Sequence, residues 1–131
     1  MRPLSHRLVA FNRRFGRPIR VAASADIPPD ETAQFVLKVR EETTELIDAI
    51  NLGDVAGVAD GIGDAIYVMA GIAVQYGLDV DRIIDIVHKS NMTKDQSASG
   101  DAVKGDSYKH PDLRDAISSG YLDLGDAWGI V

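Results

Sequence analysis

The chain has 131 residues, no cysteine, a formal net charge of -6 and 45% hydrophobic residues. That is the size and make-up of one globular domain spanning 1–131; it excludes a disulfide scaffold and disfavours a general nucleic-acid partner. Residues 2–15 hold no apolar leader, and the longest apolar stretch, within 62–78, is broken by Asp64 and Gln75 and is short for a bilayer, so a cytoplasmic protein with no membrane partner is expected.

Residues 4–15, LSHRLVAFNRRF, read as a short amphipathic helix using Leu4, Leu8, Phe11 and Phe15. Gly16 ends it, Pro18 resists continuation, and residues 16–29 form a loop. The first 25 residues contain Arg2, Arg7, Arg13, Arg14, Arg17 and Arg20 and no acid. For most of them the expectation is a solvated helix whose arginines pair with surface acids.

Residues 30–50, DETAQFVLKVREETTELIDAI, form a second, long helix. Pro28 and Pro29 stop anything before it, Asp30 is the expected N-cap, and Glu31 suits the first turn. Phe35, Val36, Val39, Leu46, Ile47 and Ile50 make the apolar stripe. Beside it runs a charged strip of Lys38, Glu41, Glu42 and Glu45, with Glu42 nearest the apolar edge. On its own this is a solvated acidic face. The turn Asn51-Leu52-Gly53-Asp54, with Gly53 at C′ and Asp54 as N-cap, sets the next helix antiparallel to it.

That next helix, 55–77, is apolar nearly all round (Val58, Ile62, Ala65, Ile66, Val68, Met69, Ile72, Ala73), and such a helix is expected in the middle of a domain. It nevertheless carries Asp60 and Asp64 one turn apart, with Tyr67 and Gly71 further along the same side. Two carboxylates on one line of an apolar helix require a partner, either a basic side chain from another helix or a divalent cation. The hairpin puts Glu41, Glu42 and Glu45 at about the height of Asp60 and Asp64. Four or five acids converging there call for cations. Hard oxygen donors with no Cys and no nearby His point to Mg²⁺, or Mn²⁺, rather than Zn²⁺.

A third long helix is expected over 79–93, started by Asp79 or Asp81 and packed through Val80, Ile83, Ile84 and Val87. Asn91 and Lys94 at its end are either a cap and a dipole-complementing charge or contacts to an anion. Residues 95–110, rich in Gly, Ser and Asp, read as a loop with a small hairpin turning at Ser99-Gly100-Asp101. Pro111 opens a short helix, 111–118, and residues 111–131 make a C-terminal tail. Its Tyr121, Leu122, Leu124 and Trp128 are suited to dock on the domain or on a partner subunit.

Glu-Glu-x-x-Glu on one helix and an acid pair on the next resembles the all-α nucleoside triphosphate pyrophosphohydrolases, the MazG-like and phosphoribosyl-ATP-pyrophosphohydrolase-like proteins of short bacterial or phage type. ADGIGDAIYV at 59–68, VHKSNMTK at 87–94 and VKGDSYKHPDL at 103–113 are similar to that group's second metal helix, third-helix signature and tail. The resemblance implies an all-α bundle of four to five helices, assembled as a homodimer or homotetramer. It implies Mg²⁺-dependent hydrolysis of a nucleoside triphosphate to the monophosphate and pyrophosphate, in nucleotide-pool sanitation. Glu42, Glu45, Asp60 and Asp64 would be metal ligands and Glu41 the general base. Lys38, Asn91, Lys94, Lys104 and Tyr108 would contact substrate, the last two from a loop closing over it, and some of the N-terminal arginines would help to hold the polyphosphate. One position departs from the wider pattern, which has Glu where this chain has Gly61. The alternatives are the phosphoribosyl-ATP enzyme of histidine synthesis and a non-catalytic helical interaction module whose acids serve as salt-bridge partners.

Overall fold

The computed structural model describes residues 3–118. Four helices, α1 (Leu4–Arg14), α2 (Pro29–Leu52), α3 (Val55–Tyr76) and α4 (Val80–Asn91), are followed by two-residue strands β1 (Asp95–Gln96) and β2 (Ala102–Val103) and a short helix α5 (Arg114–Ser118). The architecture is all-α, as expected. The strands pair antiparallel, Asp95 opposite Val103 and Gln96 opposite Ala102, and Gly100 takes a positive φ in the turn between them.

The long α2–α3 hairpin is the frame. Gly53 adopts a left-handed conformation (φ 65°) that ends α2, and Asp54 caps α3 by accepting a bond from the Gly57 amide. At the start of α2 the cap differs from expectation. Pro28 is the N-cap and Pro29 the first helical residue, because a proline at the first position loses no helical hydrogen bond.

The two helices approach closely along a line of small residues. A Cβ at Gly61 would lie 3.0 Å from Leu46 Cα and 3.1 Å from Leu46 Cβ, and one at Gly57 would lie 3.1 Å from Ala49 Cβ. Gly61 and Ala65 are buried in this seam. A side chain at position 61 would therefore need Leu46 of α2 to give by a few tenths of an ångström.

The core sits at the other end of α3, where Leu8 and Val9 of α1 meet Ala70 and Val74, with Leu4, Ile19 and Val80 packed around them. The buried face of α1 is Ser5, Leu8, Val9 and Asn12, a stripe rotated from the expected one, and Phe15 is exposed. Two polar ties set that rotation. Asp81 of α4 accepts bonds from the backbone amides of Leu4 (3.1 Å) and Ser5 (2.8 Å), and the Asn12 amide donates to the Pro18 carbonyl (3.0 Å). Asp81 thus caps α1 from another helix, since Pro3 makes no side-chain cap.

Gly77 ends α3 in the left-handed region, and its missing side chain admits the Ala22 carbonyl. The loop before α2 is sewn to this end by the Arg20 amide on the Val74 carbonyl and the Ser24 amide on the Tyr76 carbonyl.

The expectation that α3 lies wholly buried is corrected. Ile62, Ile66 and Met69 are 46%, 48% and 47% exposed, because α2 covers only one side of the first half, while α1 and α4 cover the second. Val36, Ile47 and Ile50 of α2 and Ile84 of α4 are exposed as well. The apolar segment is also longer than expected: α3, Val55–Tyr76, is long and apolar enough by length and composition to cross a membrane. Tyr121, Leu122, Leu124 and Trp128 lie outside the described residues.

Two predictions follow from these contacts. Gly61→Leu should destabilise the protein by about 1–3 kcal/mol through overpacking, whereas Gly63→Ala, with open space at its Cβ, should stabilise it by up to about 1 kcal/mol; thermal melts of the two variants check this. For Asp81, burial opposes ionisation, but the bonds from Ser5 and Leu4 outweigh it and hold the carboxyl below its ordinary 3.8. Its contribution is therefore present above that value and lost as the pH falls through the lowered one. Asp81→Asn should cost about 1 kcal/mol at neutral pH, and chemical denaturation across pH should show the gap to wild type closing in acid.

Candidate active site

The charged strip of α2 and the acids of α3 meet across the seam just described. Glu42, Glu45 and Asp64 each present a carboxylate oxygen, all within 4.8 Å of one another, Glu42 half-buried and the other two exposed. Glu42 and Glu45 share a face because they are three apart on α2, and the close approach at Gly61 brings α3 near enough for Asp64, one turn on, to join them.

Glu42 is under the most strain. Its Oε2 is buried and has no hydrogen-bond partner among the described residues. Burial pushes its carboxyl above the ordinary range, and the charges of Glu45, Asp64 and Glu41 push the same way against the opposing pull of Lys38. Three carboxylates so placed, one with a buried oxygen that lacks a donor, could hold a hard divalent cation.

Of the other expected site residues, Glu41 forms an exposed ion pair with Lys38 at 3.5 Å and stands outside the trio. Asp60 is exposed on α3 a turn before Asp64, also outside it. Asn91 ends α4 and Lys94 follows it. Lys104 lies over the Tyr108 ring at 5.2 Å, and Tyr108 is held to α4 by the Ser90 hydroxyl at 3.4 Å. Ser90, itself buried, also donates to the Lys109 carbonyl at 2.6 Å, while Thr93 Oγ1 accepts from the Lys109 amide at 2.8 Å. The segment carrying Lys104 and Tyr108 is therefore strapped to the end of α4.

Sequence reasoning missed a cavity of about 380 Å³ that opens beside Glu42 and Lys38 and runs between α1, α2 and α3. Phe11, Phe35 and Tyr67 supply aromatic walls, Asn12, Gln34 and Gln75 supply amides, and Arg17 stands at its edge over the Phe11 ring at 5.7 Å. Phe11 and Tyr67 meet edge to face at 5.4 Å. The signal was present but weak: Asn12 follows Leu8 by one turn on the inward face of α1, and Gln75 interrupts an apolar run, as residues lining a polar void do.

A sequence model of the phosphoribosyl-ATP pyrophosphohydrolase family matches residues 8–91, from α1 through α4. The tail segment 103–113 lies beyond that span. An uncharacterised protein of Acanthamoeba polyphaga mimivirus is 31% identical over 74 residues, which is 54% of this chain and 30% of the viral protein. The chain thus covers under a third of that relative. With the family match taking in most of the chain and the whole acid trio, the protein belongs to the phosphoribosyl-ATP pyrophosphohydrolase family, within the MazG-like all-α pyrophosphohydrolase superfamily.

Proposed function

We propose that the protein is a Mg²⁺-dependent nucleoside triphosphate pyrophosphohydrolase that releases a nucleoside monophosphate and pyrophosphate, acting in the cytoplasm on the nucleotide pool. The observation that carries this reading is the orphaned Glu42 oxygen between Glu45 and Asp64. Those three residues would hold the ion, with Asp60 adding a carboxylate from the preceding turn. Bound there, Mg²⁺ or Mn²⁺ supplies charge neutralisation for the polyphosphate and acidifies a water.

The chain's own groups do the rest. Glu41, exposed and paired with Lys38, is assigned to accept a proton from that water, and Lys38, which lines the cavity, to balance phosphate charge. Asn91, Lys94, Lys104 and Tyr108 are assigned to substrate contacts from the α4 side. The exposed stripes Ile62, Ile66 and Met69 on α3 and Val36, Ile47 and Ile50 on α2 favour assembly of a homodimer or a dimer of dimers. The family's own name favours a second reading, phosphoribosyl-ATP as substrate.

The test is product analysis on a panel of ribo- and deoxynucleoside triphosphates and phosphoribosyl-ATP with Mg²⁺. Pyrophosphate release from the triphosphates is expected; turnover of phosphoribosyl-ATP alone selects the second reading, and turnover of nothing leaves a helical interaction module. Glu42→Gln and Asp64→Asn should each lower kcat/KM on the order of 10³-fold while the metal-free melting temperature stays level or rises as repulsion is relieved. Mg²⁺ at 100 times its Kd should stabilise the wild type by about 2.7 kcal/mol, an increment both variants should largely lose in thermal-shift measurements.

A further inference from the structure

Gln75 sits near the far end of α3 and is 8% exposed, yet no described residue hydrogen-bonds its side-chain amide; only its backbone carbonyl is engaged, by Arg20 at 2.7 Å. The amide lines the cavity that opens beside Glu42. The amide is thus left facing the cavity, where a ligand that displaces its water must return a donor and an acceptor. Asn12, 1% exposed, lines the same cavity, and its amide nitrogen is committed to Pro18.

The cavity has a direction. Gln34, on the α2 wall, is eight residues before Glu42, or about 12 Å along the helix axis. One end of the lining carries Glu42 and Lys38; the other, where Arg20 joins Glu31 to the Gln75 carbonyl, carries Gln75, the paired Glu31 and Asp30, and Phe35, Tyr67 and Phe11 supply aromatic walls. A molecule with an anionic end, a flat apolar body and a polar heterocyclic edge suits that lining. A primary amide presents a donor and an acceptor side by side, which is the pattern carried by the edge of a nucleobase.

We infer that Gln75 is the specificity-determining residue of this cavity, its amide reading the edge of the nucleobase whose phosphates lie toward Glu42. This rests on the nucleotide reading above, but it is open to a separate check. Gln75→Met keeps the length of the side chain and removes both donor and acceptor, and since the amide bonds no described residue, the fold should be retained. Gln75→Asn keeps the amide and withdraws it by one methylene, and carries the same comparison should the first variant fold poorly.

Each variant is compared with wild type in steady-state hydrolysis of the four deoxynucleoside triphosphates with Mg²⁺, and in calorimetric binding of the four unphosphorylated deoxynucleosides without metal. The expected result is a fall of about tenfold or more in kcat/KM for the preferred base, carried by KM, with base preference flattened and binding of the matching nucleoside weakened by a similar factor. Unchanged base ratios and unchanged nucleoside binding in both variants overturn the assignment. A wild type that hydrolyses nothing, but binds a nucleoside in a Gln75-dependent way, refutes the hydrolase and leaves the cavity assignment standing.

Discussion

The contact on which the structure depends is the one between Gly61 and the backbone of Leu46. Helices normally pack with side chains between them, 8–10 Å apart at the axes. Here the missing Cβ at 61, helped by Gly57 against Ala49, lets α3 settle onto α2. That closeness is what makes Glu42, Glu45 and Asp64 neighbours. The same residue removes a carboxylate that the wider pattern places at 61. In this chain glycine stands at that position, and Glu42, Glu45 and Asp64 lie across the junction it forms.

Such a junction works against itself electrostatically. Three like charges within 4.8 Å, one with a buried orphan oxygen, oppose the packing that gathers them. Nearby compensation is slight: Lys38 partly offsets the charge on Glu42 but is itself exposed and paired with Glu41. Stability is instead supplied at the opposite end of the hairpin. There Leu8, Val9, Ala70 and Val74 close the core, and Asp81, Asn12 and Arg20 tie α1, α4 and the loop to it. A protein divided in this way can hold a strained cluster at one end because the other end does the folding, a division common where function and stability compete.

What the sequence made legible was local. Gly53 at a helix end, Asp54 as a cap, Asp79 as one of the two starts expected for α4, and the hairpin bringing two acid strips to one height all follow from rules that act within a few residues; the bounds of the long helices shifted by a residue or two, while α5 begins at Arg114 and not at Pro111. What it hid was tertiary. No periodicity shows that the cap of α1 comes from Asp81, 76 residues from Ser5. The rotation of α1 that buries Ser5 and Asn12 in place of Phe15 depends on that tie. Nor does apolar composition say that a face is covered: Ile62, Ile66 and Met69 look like core, but α2 is too narrow to cover them. The acids of α2 and α3 were visible as a set, whereas the cavity beside them was not, because its walls come from three helices and a loop.

The cavity touches the acid trio through Glu42, which belongs to both. At the far end of the cavity Arg20 grips Glu31 through both guanidinium nitrogens (2.9 and 3.0 Å) and donates to the Gln75 carbonyl as well. That pairing neutralises an acid in the cavity wall and fixes the backbone on which the Gln75 amide is mounted. The far end keeps Asp30 as a further acid, and Arg17 also lines the cavity, while at the other end Glu42 stands beside Lys38. On the proposed reading, a nucleotide would lie with its phosphates toward Glu42 and its base toward Gln75.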